Sequence, residues 1–235
     1  MQAQRSVTPL MPIDRQSSLG ELAYNALKDT IIRGGFAVGE KLTVRSVAQA
    51  LGVSTTPARD ALNRLIGEGA LENIGPKTVV VPKLTMAALD EVTAIRLALE
   101  GLACERGGAN VPEREIAGLE QLQDRLIKAL DTAQYTKVLH YNKDFHFTIY
   151  RAARLPRLVL MIESMWLRIG PSFNDLYPEF AQSRRGVSNH LAAIKGLRKR
   201  DAAAVRGAME NDIRDGYRRL AAMLGHPANG AQERD

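Results

Sequence analysis

Thr55, Arg59 and Asn63 follow one another at four-residue intervals, so on a helix they form one stripe of hydrogen-bonding groups. Hydroxyl, guanidinium and amide groups arranged in this way can bond base edges or phosphates of a nucleic-acid duplex. The neighbouring residues explain how the stripe is presented. Val44, Val47, Ala48 and Leu51 recur at helical spacing, Gly52 permits a sharp corner, Val53 fills it, and Ala58, Ala61, Leu62 and Leu65 resume an apolar stripe. Two short helices therefore pack on one small core. Ser54 is placed to cap the second, and Pro57 sits in its first turn, where a missing N–H costs little. Thr55, Thr56, Arg59 and Asn63 are left facing outward, and the start of such a second helix is what enters a major groove.

The elements on either side complete a recognisable unit. Leu22 to Ile32 predicts a preceding amphipathic helix with Leu22, Ala26, Leu27 and Ile31 or Ile32 on its apolar side. Gly69 ends the segment after the second motif helix, and Leu71–Ile74 and Lys77–Val81 read as two short strands around a turn at Gly75-Pro76. Three helices followed by a β-hairpin make a winged helix-turn-helix. The same pattern also describes a small helical domain with a solvated polar face, but only the first reading uses every element in its order.

Gly39-Glu40-Lys41-Leu42, Leu51-Gly52-Val53-Ser54, Thr56-Pro57, Arg59, Ala61-Leu62, Leu65 and Glu68-Gly69 resemble the N-terminal domain of GntR-family transcription regulators, from about Leu22 to Val81. The resemblance implies DNA contacts from Arg45, at the start of the first motif helix, from Ser54, Thr55 and Thr56 at the entrance of the recognition helix, and from Arg59 within it. Asn63 and Lys77, on the recognition stripe and at the wing tip, join that DNA-facing set. Two departures matter. Many members carry Arg where Thr55 stands, and many carry Gly at the wing tip where Lys77-Thr78 stands, so the operator is expected to differ from the common one.

Length and composition agree with a two-part regulator. At 235 residues the chain has room for a DNA-binding domain and a second domain with its own core. A formal net charge of +6 and an isoelectric point near 9.6 favour a polyanionic partner, although charge alone does not separate nucleic acid from an anionic membrane. No apolar run is long enough to span a bilayer, which argues against a membrane partner. Residues 1–18 mix Gln, Pro, Ser and Arg without an apolar stretch and read as a flexible tail. The single cysteine, Cys104, excludes an intramolecular disulfide framework and suits a buried helix position, so the expected compartment is the cytoplasm.

From Thr85 the texture changes to long helices. Thr85 caps a segment running to about Gly107, and further helices are expected at 112–132, 135–153, 156–170, 180–198 and 201–224. The expected architecture is mainly α: a winged domain over 19–82, an all-helical bundle of about six helices over 85–224, and a second flexible tail at 225–235, which holds His226. Arg96 with Glu100-Gly101-Leu102-Ala103, Asn142 with Phe145-His146, Pro156-Arg157-Leu158, and Asn189-His190 followed by Asp201-Ala202 resemble the FCD effector-binding domain of the FadR subfamily. Six helices suit the VanR-like branch of it.

The FCD resemblance implies a metal-ligating quartet at Asn142, His146, His190 and Asp212, where related domains commonly place an acidic residue and three histidines around a divalent ion. Asn142 and His146 lie four apart and share a helix face, while His190 and Asp212 fall on the two later helices. Imidazole and carboxylate donors suit zinc, nickel, manganese or iron. The histidines can equally be core groups satisfied by hydrogen bonds, or the quartet can bind an organic ligand without metal. Arg96, four residues before Glu100, can clamp an effector carboxylate or pair with Glu100 and hold the bundle together. Tyr150, Arg151 and Trp166 are candidates for the same cavity.

The expected function is a homodimeric DNA-binding regulator of the repressor type, reading inverted half-sites on a double-stranded operator and modulated by a small organic acid. A helical-bundle metalloenzyme is the alternative. Against it, the chain has no Glu-x-x-His pair, His-Glu-x-x-His, Gly-x-Ser-x-Gly or phosphate-cradling glycine loop. An architectural nucleic-acid binder whose bundle only dimerises is a third class.

Overall fold

The computed structural model describes residues 18–177 and 184–225. Residues 1–17 and 226–235, to which the sequence assigns tails, and His226 lie outside the described residues. The first part is α1 (Leu19–Ile32), β1 (Lys41–Thr43), α2 (Val44–Leu51), α3 (Thr55–Gly67), β2 (Glu72–Gly75) and β3 (Thr78–Val80). The second is α4 (Met86–Gly107), α5 (Glu113–Asp131), α6 (Tyr135–Arg151), α7 (Pro156–Ile169), a 3-10 segment (Gly170–Leu176), α8 (Arg185–Arg198) and α9 (Ala202–Gly225).

Local chemistry sets these boundaries. The Ser18 hydroxyl accepts from the Glu21 N–H at the start of α1, and Thr43 and Ser46 form a reciprocal capping box at the start of α2. Gly52 takes a left-handed conformation (φ +65°) at the corner between α2 and α3, as expected of a turn that a side chain would strain. Ser54 is the N-cap of α3, but its side chain makes no capping bond, contrary to the simplest reading of its position. The apolar side of α1 also departs from expectation. Leu22 and Ala26 face solvent, while Ala23 and Tyr24 join Leu27, Ile31 and Ile32 inside, because the row that packs on the core runs from Ala23 through Leu27 to Ile31 at four-residue steps.

The wing is a three-stranded antiparallel sheet in the order β1-β3-β2, with Leu42 opposite Val79 and Asn73 opposite Val79 on the other side. A register shift between Asn73 and Gly75 bends β2 at the tip. The Lys77 carbonyl accepts the Val44 N–H, so the wing tip is tied to the start of α2.

Thr85 caps α4 through the Ala88 N–H, as the sequence implies. One large apolar core runs through both halves of the chain, from Leu62 and Leu65 on the recognition helix to Phe147, Ile162 and Leu197 in the bundle, and a small satellite of Leu126, Ala129 and Val138 lies beside it. Contacts between α1 and the bundle are close. A Cβ on Gly170 would stand 2.6 Å from the Ile31 carbonyl oxygen, so only glycine allows the 3-10 segment to approach α1 this far. Asn174 donates to the carbonyls of Gly34 (2.6 Å) and Phe36 (3.3 Å), in the loop between α1 and β1. Lys28 pairs with Glu163, Lys143 Nζ lies 3.1 Å from Asp29, and Arg33 lies 3.1 Å from Asp144.

Candidate DNA-reading surface and metal centre

Arg45, Ser54, Thr55, Thr56, Arg59, Asn63 and Lys77 are all exposed. They occupy the start of α2, the N-cap and first three turns of α3 and the wing tip, with Ala58, Ala61, Leu62 and Leu65 buried behind them. The uncapped Ser54 hydroxyl is free to meet a phosphate with the N-terminal amides of α3. Sequence reasoning missed what fixes the far end of this helix. Arg64 stacks on the Tyr24 ring at 3.6 Å, and the Tyr24 hydroxyl bonds Glu68 at 2.9 Å. Burial and the adjacent Glu68 push the Tyr24 pKa up to about 12, so the phenol keeps its proton.

In the bundle, His146 from α6, His190 from α8 and Asp212 from α9 bring one donor atom each within 4.8 Å of one another. His146 Nε2 lies 3.2 Å from His190 Nε2 and 3.2 Å from Asp212 Oδ2. Asn142, one turn before His146, borders the same cavity, together with Arg96, Leu139, Trp166, Phe173, Leu176 and Tyr177. The quartet named from the sequence therefore converges in space, and Arg96 converges with it.

Hydrogen bonds behind the imidazoles decide which nitrogens carry protons. Glu100 is fully buried and bound by Arg96 Nε at 2.6 Å and by Trp166 Nε1 at 3.1 Å, so it is an acceptor only. Tyr150 must then donate to Glu100, and its oxygen accepts from His146 Nδ1 at 2.8 Å. Burial holds the Tyr150 phenol well above its usual range, in keeping with a retained proton. His190 Nδ1 lies 2.8 Å from Gln123 Oε1, an acceptor. Both imidazoles are thus held from behind through Nδ1 and turn Nε2 toward the site they share with Asp212. Burial pushes His190 down to about 3, against the pull of Asp212, so that ring is neutral at pH 7. Burial opposes ionisation of Asp212, but His146 and His190 outweigh it and hold the carboxyl below its usual value.

Two imidazole nitrogens and a carboxylate that converge in a buried site, each ring held from behind, make a donor set that fits a divalent ion. Gln123 and Tyr150 are the supporting residues that the sequence reading did not assign. Gln123 was findable: it interrupts the buried stripe Ile116, Leu119, Leu126 of α5 at a position where an apolar residue belongs. Arg96 pairs with Glu100 and borders the cavity at once, so its two readings are compatible. It lies on a buried side of α4, whereas Leu102 is 38% exposed. Arg151 is exposed and faces Phe147, away from the cavity. His140 lies outside the cluster, as its spacing implies, and bonds Arg33 near α1.

The chain matches the FCD domain over residues 91–215 and the bacterial regulatory proteins of the gntR family over residues 19–81. The chain belongs to the GntR family of bacterial regulators. The regulator is 30% identical over 184 residues to the HTH-type transcriptional regulator McbR of Escherichia coli K12, covering 77% of this chain and 83% of that protein. It is 24% identical to the HTH-type transcriptional repressor RspR of the same organism, with 92% of each chain covered. A solved structure, E. coli McbR/YncC, superposes with a TM-score of 0.82 at 28% identity, over 88% of this chain and 99% of that one. Family and relatives are transcription regulators, so the metalloenzyme reading gives way to a DNA-binding regulator.

Proposed function

We propose that this regulator is a cytoplasmic homodimeric repressor of the VanR-like branch, reading inverted half-sites and released by a small organic acid bound beside a divalent metal. The observation that carries the metal reading is the convergence of two imidazole Nε2 atoms and a carboxylate, each imidazole fixed from behind through Nδ1. His146, His190 and Asp212 would hold the ion, with Asn142 offering an amide oxygen, and zinc, nickel, manganese and iron are the candidates. The bound ion would give the effector carboxylate a Lewis-acidic contact, and Arg96 an oriented guanidinium. The name of the repressor RspR and the six helices α4–α9 described in the bundle support the repressor and branch assignments.

On this reading residues 19–82 bind DNA and residues 85–224 sense the effector. DNA contacts come from Arg45, Ser54, Thr55, Thr56, Arg59, Asn63 and Lys77, with Arg59 as the main base reader. The cavity beside the histidines holds only about 40 Å³, room for about a water or two, so an acid that enters must displace a wall residue. Phe173, Leu176 and Tyr177 form that wall, and Asn174 between them holds the loop after α1. Filling the cavity would therefore move the segment on which the winged domain rests.

The test is elemental analysis of the purified chain together with a thermal-shift screen of divalent metals and small carboxylic acids. Metal-dependent shifts that vanish in His146→Ala and His190→Ala support the reading. A shift with acids alone, indifferent to both histidines, overturns the metal and leaves direct ligand binding. Arg59→Ala binding operator as tightly as the parent would overturn the recognition-helix assignment.

A further inference from the structure

The 3-10 segment has two working faces. With three residues per turn, side chains three apart stand above one another, so Phe173 and Leu176 share the face toward the histidines, and Ser172 and Asp175 share another. That second face borders a separate cavity of about 60 Å³ at the junction between the winged domain and the bundle. Val38 from the loop after α1, Lys83 and Leu84 from the linker between β3 and α4, and Leu220, Met223 and Leu224 near the end of α9 complete its walls. The polar groups of this cavity are unmatched. Ser172 is 5% exposed, yet its hydroxyl makes no hydrogen bond among the described residues. Asp175 has no hydrogen-bond or ion-pair partner there either, and burial alone holds its carboxyl above the usual range. Lys83 is exposed and forms no ion pair among the described residues. A partly desolvated carboxylate without a partner is unfavourable, and an ammonium group relieves it. A cation and an anion beside one apolar cavity, with a buried hydroxyl in its wall, match a zwitterion with an apolar body. By the measure on which a cavity of about 150 Å³ takes benzene, this one takes a body of about two or three carbons.

We propose that this junction cavity binds a free amino acid with a short aliphatic side chain, of the size of valine, its ammonium on Asp175 and Ser172 and its carboxylate on Lys83. The side chain enters among Leu84, Leu220 and Leu224, and Met223, unbranched and 38% exposed, adjusts to its shape. The site shares no residue with the candidate metal centre and does not depend on it. Through this one molecule the linker of the winged domain is joined to the bundle. Because a single 3-10 segment walls both cavities, filling either one acts on the wall of the other, and the coupling is reciprocal.

Isothermal titration calorimetry on the full chain, with chelator present, should compare L-valine with isobutylamine, which lacks the carboxylate, and with 3-methylbutanoate, which lacks the ammonium. L-valine is expected to bind, and each analogue to bind at least about tenfold more weakly, since each leaves one charge of the cavity unmatched. Asp175→Asn and Lys83→Met, both at exposed side chains, should each weaken L-valine by at least about tenfold, whereas His146→Ala should still bind it. Circular dichroism melts verify that the variants fold, and Leu84→Trp, which fills the cavity, repeats the test if either does not. Isobutylamine binding as tightly as L-valine would reduce the site to a cation contact and overturn the amino-acid assignment. No binding of L-valine at millimolar concentration, or equal affinity in the parent and Asp175→Asn, would overturn the site itself. Neither result bears on the metal reading, which is tested separately through the histidines.

Discussion

Tyr150 serves two neighbours with one hydroxyl: it donates to Glu100 and accepts from His146, so removing the oxygen frees the imidazole to take either tautomer. Tyr150→Phe should lower divalent-metal affinity by about 10- to 100-fold, as loss of an outer-shell partner generally does, and Gln123→Leu should do the same through His190. Competition with a chelating dye measures both, and unchanged affinity would remove the tautomer argument. The apo site also predicts a pH dependence. His190 titrates at about 3 when folded and near 6.5 in an unfolded chain, so between these values the unfolded state binds the extra proton. Stability is therefore full above about pH 6.5 and falls on acidification by up to about 1.4 kcal/mol per pH unit. Urea unfolding with chelator present at pH 7.5, 6.0 and 5.0 should show the decline, and His190→Gln should flatten it. The candidate ligands were legible because Asn142 and His146 stand one helical turn apart and the family pattern supplies the other two. Glu100 was legible only as a partner of Arg96. That it also receives Tyr150 and Trp166, from helices 50 and 66 residues away, is a product of packing that no local spacing encodes.

At the scale of elements, the 3-10 segment shows in the sequence only as a break at Gly170-Pro171. It touches both the cavity and the loop after α1: Phe173, Leu176 and Tyr177 line the cavity, while Asn174 holds Gly34 and Phe36. Asn174→Ala is expected to leave metal binding within about twofold and operator binding intact, and to bring the ratio of operator affinities with and without effector toward one. Fluorescence anisotropy on labelled operator reads that ratio; a ratio equal to the parent's would place the coupling elsewhere. Strand β1 escapes sequence reading for a related reason. Lys41–Thr43 is three residues long, too short for alternation to show, and it becomes a strand only by pairing with β3 some forty residues later. The long helices were legible to within a few residues because caps and breakers stand at their ends: Thr85, Pro156 and Asp201 each begin one as expected. The start of α8 differs more, at Arg185 where the pattern suggests 180, and residues 178–183 lie outside the described residues.

At the scale of the whole molecule, α2, α3 and the wing carry exposed cations while their helices are anchored in a core continuous with the bundle. Such an arrangement makes affinity electrostatic and geometry cooperative. If Arg45 contacts a phosphate from each protomer, Arg45→Ala should make the plot of log affinity against log salt shallower by roughly 1.8, about 0.9 for each of the two phosphates no longer neutralised. Arg59→Ala should instead cost about 1–3 kcal/mol on the best operator and much less on a sequence altered at its base pair. Binding measured between 50 and 300 mM salt on both sequences separates the roles. An unchanged slope for Arg45→Ala would mean that α2 does not lie along the backbone. The two effects also discriminate between the regulator and a binder that only coats DNA. A protein that reads phosphates alone loses slope with every cation removed and shows no sequence at which Arg59 matters more than at another, whereas a repressor whose recognition helix is held at both ends, by the Gly52 corner and by Tyr24 against Arg64 and Glu68, presents Arg59 in one place and is sensitive to the base it meets there.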